Sequence, residues 1–128
     1  MFVPCEVIVR STIPALRAIL ARELVNNYGL TQEETARILN VTQAAISYYM
    51  RKIRGDVLNV ETIPKVKSKS KRIAKSLING NLSKTDLTKN ICELCWIIRT
   101  SKIMCHLCEQ TDQSLNAENC DICISRLH

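Results

Sequence analysis

The sequence predicts an all-α chain, and three observations lead there. Apolar residues recur at spacings of three and four through most of its length. Threonines and serines stand where helices would begin, with glycine or asparagine where they would stop. Six of the seven cysteines form three Cys-x-x-Cys pairs after Ile91, and no strand-helix-strand pattern precedes any of them.

The first helix is expected from about Thr12, where Ile13, Leu16, Leu20 and Leu24 share one face. Thr12 serves as candidate N-cap, and Pro14 fits the first turn because the backbone donor it lacks would have gone unpaired. Gly29 supplies the stop. A second helix starts after Thr31, with Glu34 placed to close a capping box, and runs to about Leu39. Asn40 takes the turn, since asparagine tolerates a positive φ. The third helix starts after Thr42 and carries Ala45, Ile46, Tyr49 and Ile53 as an apolar stripe up to Gly55. Val57 to Thr62 reads as an extended linker. Pro64 opens a basic helix to Asn79, stopped by Gly80, with Val66, Ile73 and Leu77 as a narrow apolar stripe. Ser83 caps a last helix, with Asp86 as box partner and Leu82 and Leu87 as a hydrophobic staple. That helix presents Leu87, Ile91, Leu94 and Ile98 on one flank.

Three zones result: a helix-turn-helix domain at 1–56, a linker and basic helix at 57–82, and a cysteine-rich region at 83–128. Between Thr62 and Thr85 there is no acid, while Lys65, Lys67, Lys69, Lys71, Arg72, Lys75 and Lys84 are basic. The apolar stripe of that zone suits packing on the first domain or a dimer seam, and its lysines suit DNA phosphate or plain solvation. Lys and Arg outnumber Asp and Glu by 18 to 12, a net charge of +6. Such a balance favours an acidic partner, foremost nucleic acid. No apolar run approaches the roughly 20 residues that cross a bilayer, so no membrane partner is expected. The start lacks a basic region followed by an apolar one, so no signal peptide is expected and the cytoplasm is the expected location. In a reducing cytosol, paired cysteines point to metal or redox chemistry rather than a disulfide framework.

A short helix, a tight turn and a second capped helix form a helix-turn-helix pattern. Ala36 is small where the helices approach, and Leu39, Val41 and Ile46 are apolar where they share a core. The stretch from Thr31 to Ser47 resembles the phage-repressor-like helix-turn-helix family, and the resemblance extends over about residues 12 to 55. It implies that the helix after Thr42 enters the major groove of double-stranded DNA with its N-terminal end towards the bases. Gln43 would then pair with an adenine edge, Ala44 would touch a thymine methyl, and Ser47 and Tyr48 would share that face. Arg51, Lys52 and Arg54 suit phosphate contacts, and Thr31 and Gln32 could donate to the backbone. Such modules act on two half-sites, so a homodimer is implied.

The three cysteine pairs signal thiolate ligation, with Cys92, Cys95, Cys105, Cys108, Cys120 and Cys123 as candidate metal ligands. Nine residues separate Cys95 from Cys105, and eleven separate Cys108 from Cys120. Four thiolates satisfy either tetrahedral zinc or an iron–sulfur cluster. The apolar shell of Leu94, Trp96, Ile97 and Ile98 tips the expectation slightly to a 4Fe–4S cluster, with zinc as the alternative. Six thiols exceed four ligands, so two are left for another role or a second site. His106 is a further candidate, though a lone histidine beside a cysteine is more often a bystander, and Cys5 is expected to be a small buried residue, with closure of the site as the lesser alternative.

The whole chain, the basic zone excepted, resembles a family of archaeal predicted transcription regulators. The resemblance rests on Pro4-Cys5-Glu6, the helix-turn-helix, Ile91 to Cys95, Cys105, and Cys120 to Cys123. That family often has histidine near position 108, where this chain has cysteine. The resemblance implies a DNA-binding regulator and no settled effector; the leading expectation is a dimer that the tail metal or cluster stabilises or tunes, with redox sensing if the cofactor is a cluster. A zinc-stabilised adaptor contacting the transcription machinery is the runner-up, and a thiol redox protein a distant third. No catalytic constellation or phosphate loop is visible, so an enzyme is not expected.

Overall fold

Helix α2 (Thr12–Tyr28) is buried on two faces, and its sequence explains why. Leu16, Ile19 and Leu20 join one core, while Ala18 and Ala21 join another. The helix stops at Gly29, whose φ of 67° lies in the left-handed region that residues with a Cβ avoid. Its start departs from expectation. Ser11, not Thr12, holds the N-cap position, and its hydroxyl donates to the Val7 carbonyl at 2.6 Å. Thr12 is fully buried, its hydroxyl 3.7 Å from the sulfur of Met104. The cause is a helix that patterning did not reveal: α1 (Pro4–Arg10) leads directly into α2, so Thr12 is no free end. The computed structural model describes residues 3–52, 58–116 and 118–124, and all regular structure among them is helical.

Helices α3 (Gln32–Leu39) and α4 (Gln43–Met50) follow the sequence closely, because local chemistry fixes both. Thr31 Oγ1 accepts the Glu34 amide at 3.1 Å and donates to the Glu34 carboxylate at 3.2 Å. Asn40 adopts φ 56° and turns the chain. Thr42 Oγ1 then accepts the Ala45 amide at 3.1 Å. Ala36, Ala45, Ile46 and Tyr49 pack on Ala18 and Ala21, where the small alanine side chains let the helices come close. Helix α4 ends at Met50; the expected Ile53, Arg54 and Gly55 lie outside the described residues.

The expected linker is no free tether. Leu58 and Val60 are buried, and Val60–Thr62 forms a 3-10 turn. Apolar side chains at those positions gain more from burial than an extended connection would allow. Helix α5 (Pro64–Ile78) buries Val66, Ser70, Ile73 and Ala74, packing on α2 and on α6 (Lys84–Thr100). Its apolar stripe is thus taken up inside the chain. Ser83 Oγ accepts the Asp86 amide at 3.1 Å, as the cap predicts, and Leu82 and Leu87 both pack on the core. A short helix, α7 (Cys105–Thr111), follows and packs on α1. Leu94, Ile98, Met104 and Cys108 join Leu16, Val66 and Ile73, so the three sequence zones meet in one core. Among the described residues no helix is long and apolar enough to cross a membrane.

Candidate nucleic-acid interface and thiol centre

The face of α4 divides as its period dictates. Ala45, Ile46 and Tyr49 turn inward, Gln43 and Ala44 are exposed, and Ser47 and Tyr48 are half-buried. Thr42, at the N-cap, is exposed beside them, as are Thr31 and, in part, Gln32 at the start of α3. Thr31, Gln32, Thr42, Gln43 and Ala44 therefore lie at two helix starts, where unpaired backbone N–H groups favour anions. Arg51 lies just past α4, its guanidinium 5.4 Å from the centre of the Tyr48 ring. That stacking couples two residues treated separately in the sequence reading. Lys52 is exposed with φ 58°, which turns the backbone away from the helix axis.

The six tail thiols open onto two different hollows. Cys105 and Cys108 from α7 line a cavity of about 20 Å³ together with Cys120 and Cys123 from the segment beyond it. Cys92 and Cys95, a turn apart on α6, line a separate groove with Ile13, Ile91, Trp96 and Arg99. Cys5, expected to be buried, is exposed, because α1 turns Val7 and Ile8 to the core instead. It lies near enough to Cys95 and Arg99 to act on the charge of both. His106 is exposed. Among the described residues no three Cys, His, Asp or Glu side chains already converge closely enough to grip an ion.

Electrostatics still tie the thiols together. Burial pushes the Cys108 thiol up to about 11, and nearby Cys123, Cys105 and Cys120 add to the rise. Cys105 is raised by burial, then by Cys120 and Cys123, with Lys102 opposing. Cys95 is raised by burial against the lowering pull of Arg99, with Cys92, Cys5 and Cys123 adding to the rise. Arg99 is itself held above its ordinary value, first by a hydrogen bond with Cys123. Its Nε is buried without a partner. Arg99 opposes part of the rise at Cys95 and Cys108, and ionised thiols are what a metal binds. Cys105, Cys108, Cys120 and Cys123 have the donor chemistry a metal ion takes and would be the residues to hold one, while their sulfurs do not converge on one point. Sequence reasoning missed Arg99, although its place four residues after Cys95 puts both on one helix face.

Compared with family models, with curated proteins and with solved structures, the chain matches none.

Proposed function

We propose that the chain is a sequence-specific, double-stranded-DNA-binding transcription regulator of the cytoplasm, working as a homodimer, whose tail holds a thiolate-bound metal. One observation carries the reading. Two capped helices meet across a left-handed asparagine, and the second buries Ala45, Ile46 and Tyr49 while leaving Gln43 and Ala44 at its exposed N-terminal end. That is the disposition a recognition helix needs, because its first turn must reach base edges while its back holds the scaffold. Gln43 can pair with adenine, Ala44 with a thymine methyl, and Ser47 and Tyr48 extend that face. Arg51 and Lys52, with the α3 start at Thr31 and Gln32, supply phosphate contacts.

The metal acts on shape rather than on chemistry. Held by Cys105 and Cys108 of α7 and by Cys120 and Cys123 beyond it, a metal would tie those two segments together, and Arg99 would offset part of the thiolate charge. Cys105, Cys108, Cys120 and Cys123 together would give a tetrahedral zinc ion its four thiolates, which favours zinc. A second reading takes Cys92 and Cys95 of α6, with Cys5 acting on Cys95, as three of the four thiolates that a 4Fe–4S cluster needs.

Competition gel shifts on DNA from the chain's own upstream region test the regulator reading. Binding that falls steeply with salt and survives excess scrambled DNA is expected. Equal competition by scrambled DNA would remove sequence-specific regulation. Metal, sulfide and visible-absorption analysis of protein purified without oxygen separates the cofactors: colourless with zinc, or brown with iron and sulfide.

A further inference from the structure

A polar cleft of about 220 Å³ lies between α2 and α5 and shares no lining residue with the thiol centre or the α4 face. Arg22 and Glu23 of α2 line it, with Lys67, Ser70 and Lys71 of α5 opposite and Glu61 from the 3-10 turn. Two of these residues carry hydrogen-bonding capacity that the protein does not use. Ser70 is only 1% exposed, and its hydroxyl has no partner. A serine inside a helix commonly donates to the carbonyl one turn back, so an idle buried hydroxyl calls for a cause. Arg22 places Nη2 at 3.1 Å from the Glu61 carboxylate, while its Nη1 is buried with no partner.

Both idle groups are donors, or can be, and they come from opposite walls of one cleft. Lys67 and Lys71 are exposed beside Ser70, spaced so that all three share one face of α5. Against three cations stand two carboxylates, and one of these is already engaged by Arg22. The remaining character is that of an anion acceptor with a small positive surplus. Water alone could fill the space, but it would bring no charge to balance the surplus.

We propose that this cleft binds a small oxyanion, a carboxylate or a phosphate, through Arg22 Nη1 and the Ser70 hydroxyl, with Lys67 and Lys71 at its mouth. The ligand would hold α2 to α5. Because α2 also backs α3 and α4, occupancy would stiffen the support of the α4 face. The site itself is independent of the DNA-binding reading, and each can fail without the other.

The test is a titration of the full chain followed by amide and guanidinium NMR shifts. Sodium acetate and sodium phosphate are the probes, with sodium chloride at equal ionic strength as the reference. Saturable shifts at Ser70 and Arg22 with either oxyanion are expected, and the tighter one names the source. Ser70→Ala has no hydrogen bond to lose, so it keeps the fold and weakens binding about tenfold. Arg22→Gln abolishes binding; if it does not fold, the serine variant decides alone. Shifts that chloride reproduces, or that Ser70→Ala leaves unchanged, mean an adventitious ion only and overturn the proposal. The absence of any saturable shift does the same.

Discussion

Asn40 carries the turn between α3 and α4 at φ 56°, a conformation that most side chains avoid. Asn40→Gly is therefore expected to be nearly neutral, and Asn40→Ala to cost about 1 kcal/mol, read by urea unfolding. A larger loss with glycine than with alanine would contradict the backbone argument. Cys108 gives a pH prediction. Its folded value, about 11, lies above the ordinary 9.0, so the folded state holds the thiol proton more tightly than the unfolded chain. In metal-free protein its contribution to stability is full below pH 9.0 and is lost as pH rises through about 11. Thermal unfolding under reducing conditions across that window reads the decline, and Cys108→Ser should flatten it. These residues differ in how legible they were. Gly29, Thr31, Asn40 and Ser83 act on their own backbone within a turn, so the sequence foretold them. Cys5 and Arg99 draw their roles from lying near one another and near Cys95 in the folded chain, and nothing in their local sequence announces that meeting.

At the scale of elements, α3 and α4 were readable because capping and period agree at each end. Thr42→Ala is expected to cost about 1 kcal/mol, the usual loss when a capping oxygen is removed. Ile46→Ala, at a fully buried position between α4 and α2, should cost roughly 2–5 kcal/mol. Chemical denaturation checks both, and a cost near zero for Ile46 would refute the α2–α4 packing. Helices α1 and α7 escaped the sequence reading because each has only seven residues, too few for period to stand out from chance. The basic helix was legible as a helix, but not in its destination. Its apolar stripe of Val66 and Ile73 suited a partner subunit equally well until α2 and α6 were found against it.

For the molecule as a whole, the shared core has consequences for cofactor loss. Cys108 and Met104 pack in the same cluster as Leu16 and Leu20 of α2. The proposed metal, held beside them, would stabilise the entire fold by mass action, about 4 kcal/mol at a thousandfold excess over its dissociation constant. Chelation should therefore lower a single cooperative thermal transition; an independent melting step for the tail, with α2 to α4 untouched, would show the thiol centre uncoupled from the rest. The division into three zones was drawn from composition, which registers charge and cysteine but is blind to which apolar stripes face one another.

The measurement closest to the central claim is a binding-site selection from random DNA for the parent chain, Gln43→Ala and Arg51→Ala, followed by affinity at several salt concentrations. The parent should select a two-half-site sequence. Gln43→Ala should relax preference at one base pair per half-site, by about 1–3 kcal/mol, while Arg51→Ala should weaken all sequences alike and reduce the salt slope. An unselective parent, or two variants indistinguishable from it, would contradict the assignment of α4 as the helix that reads DNA.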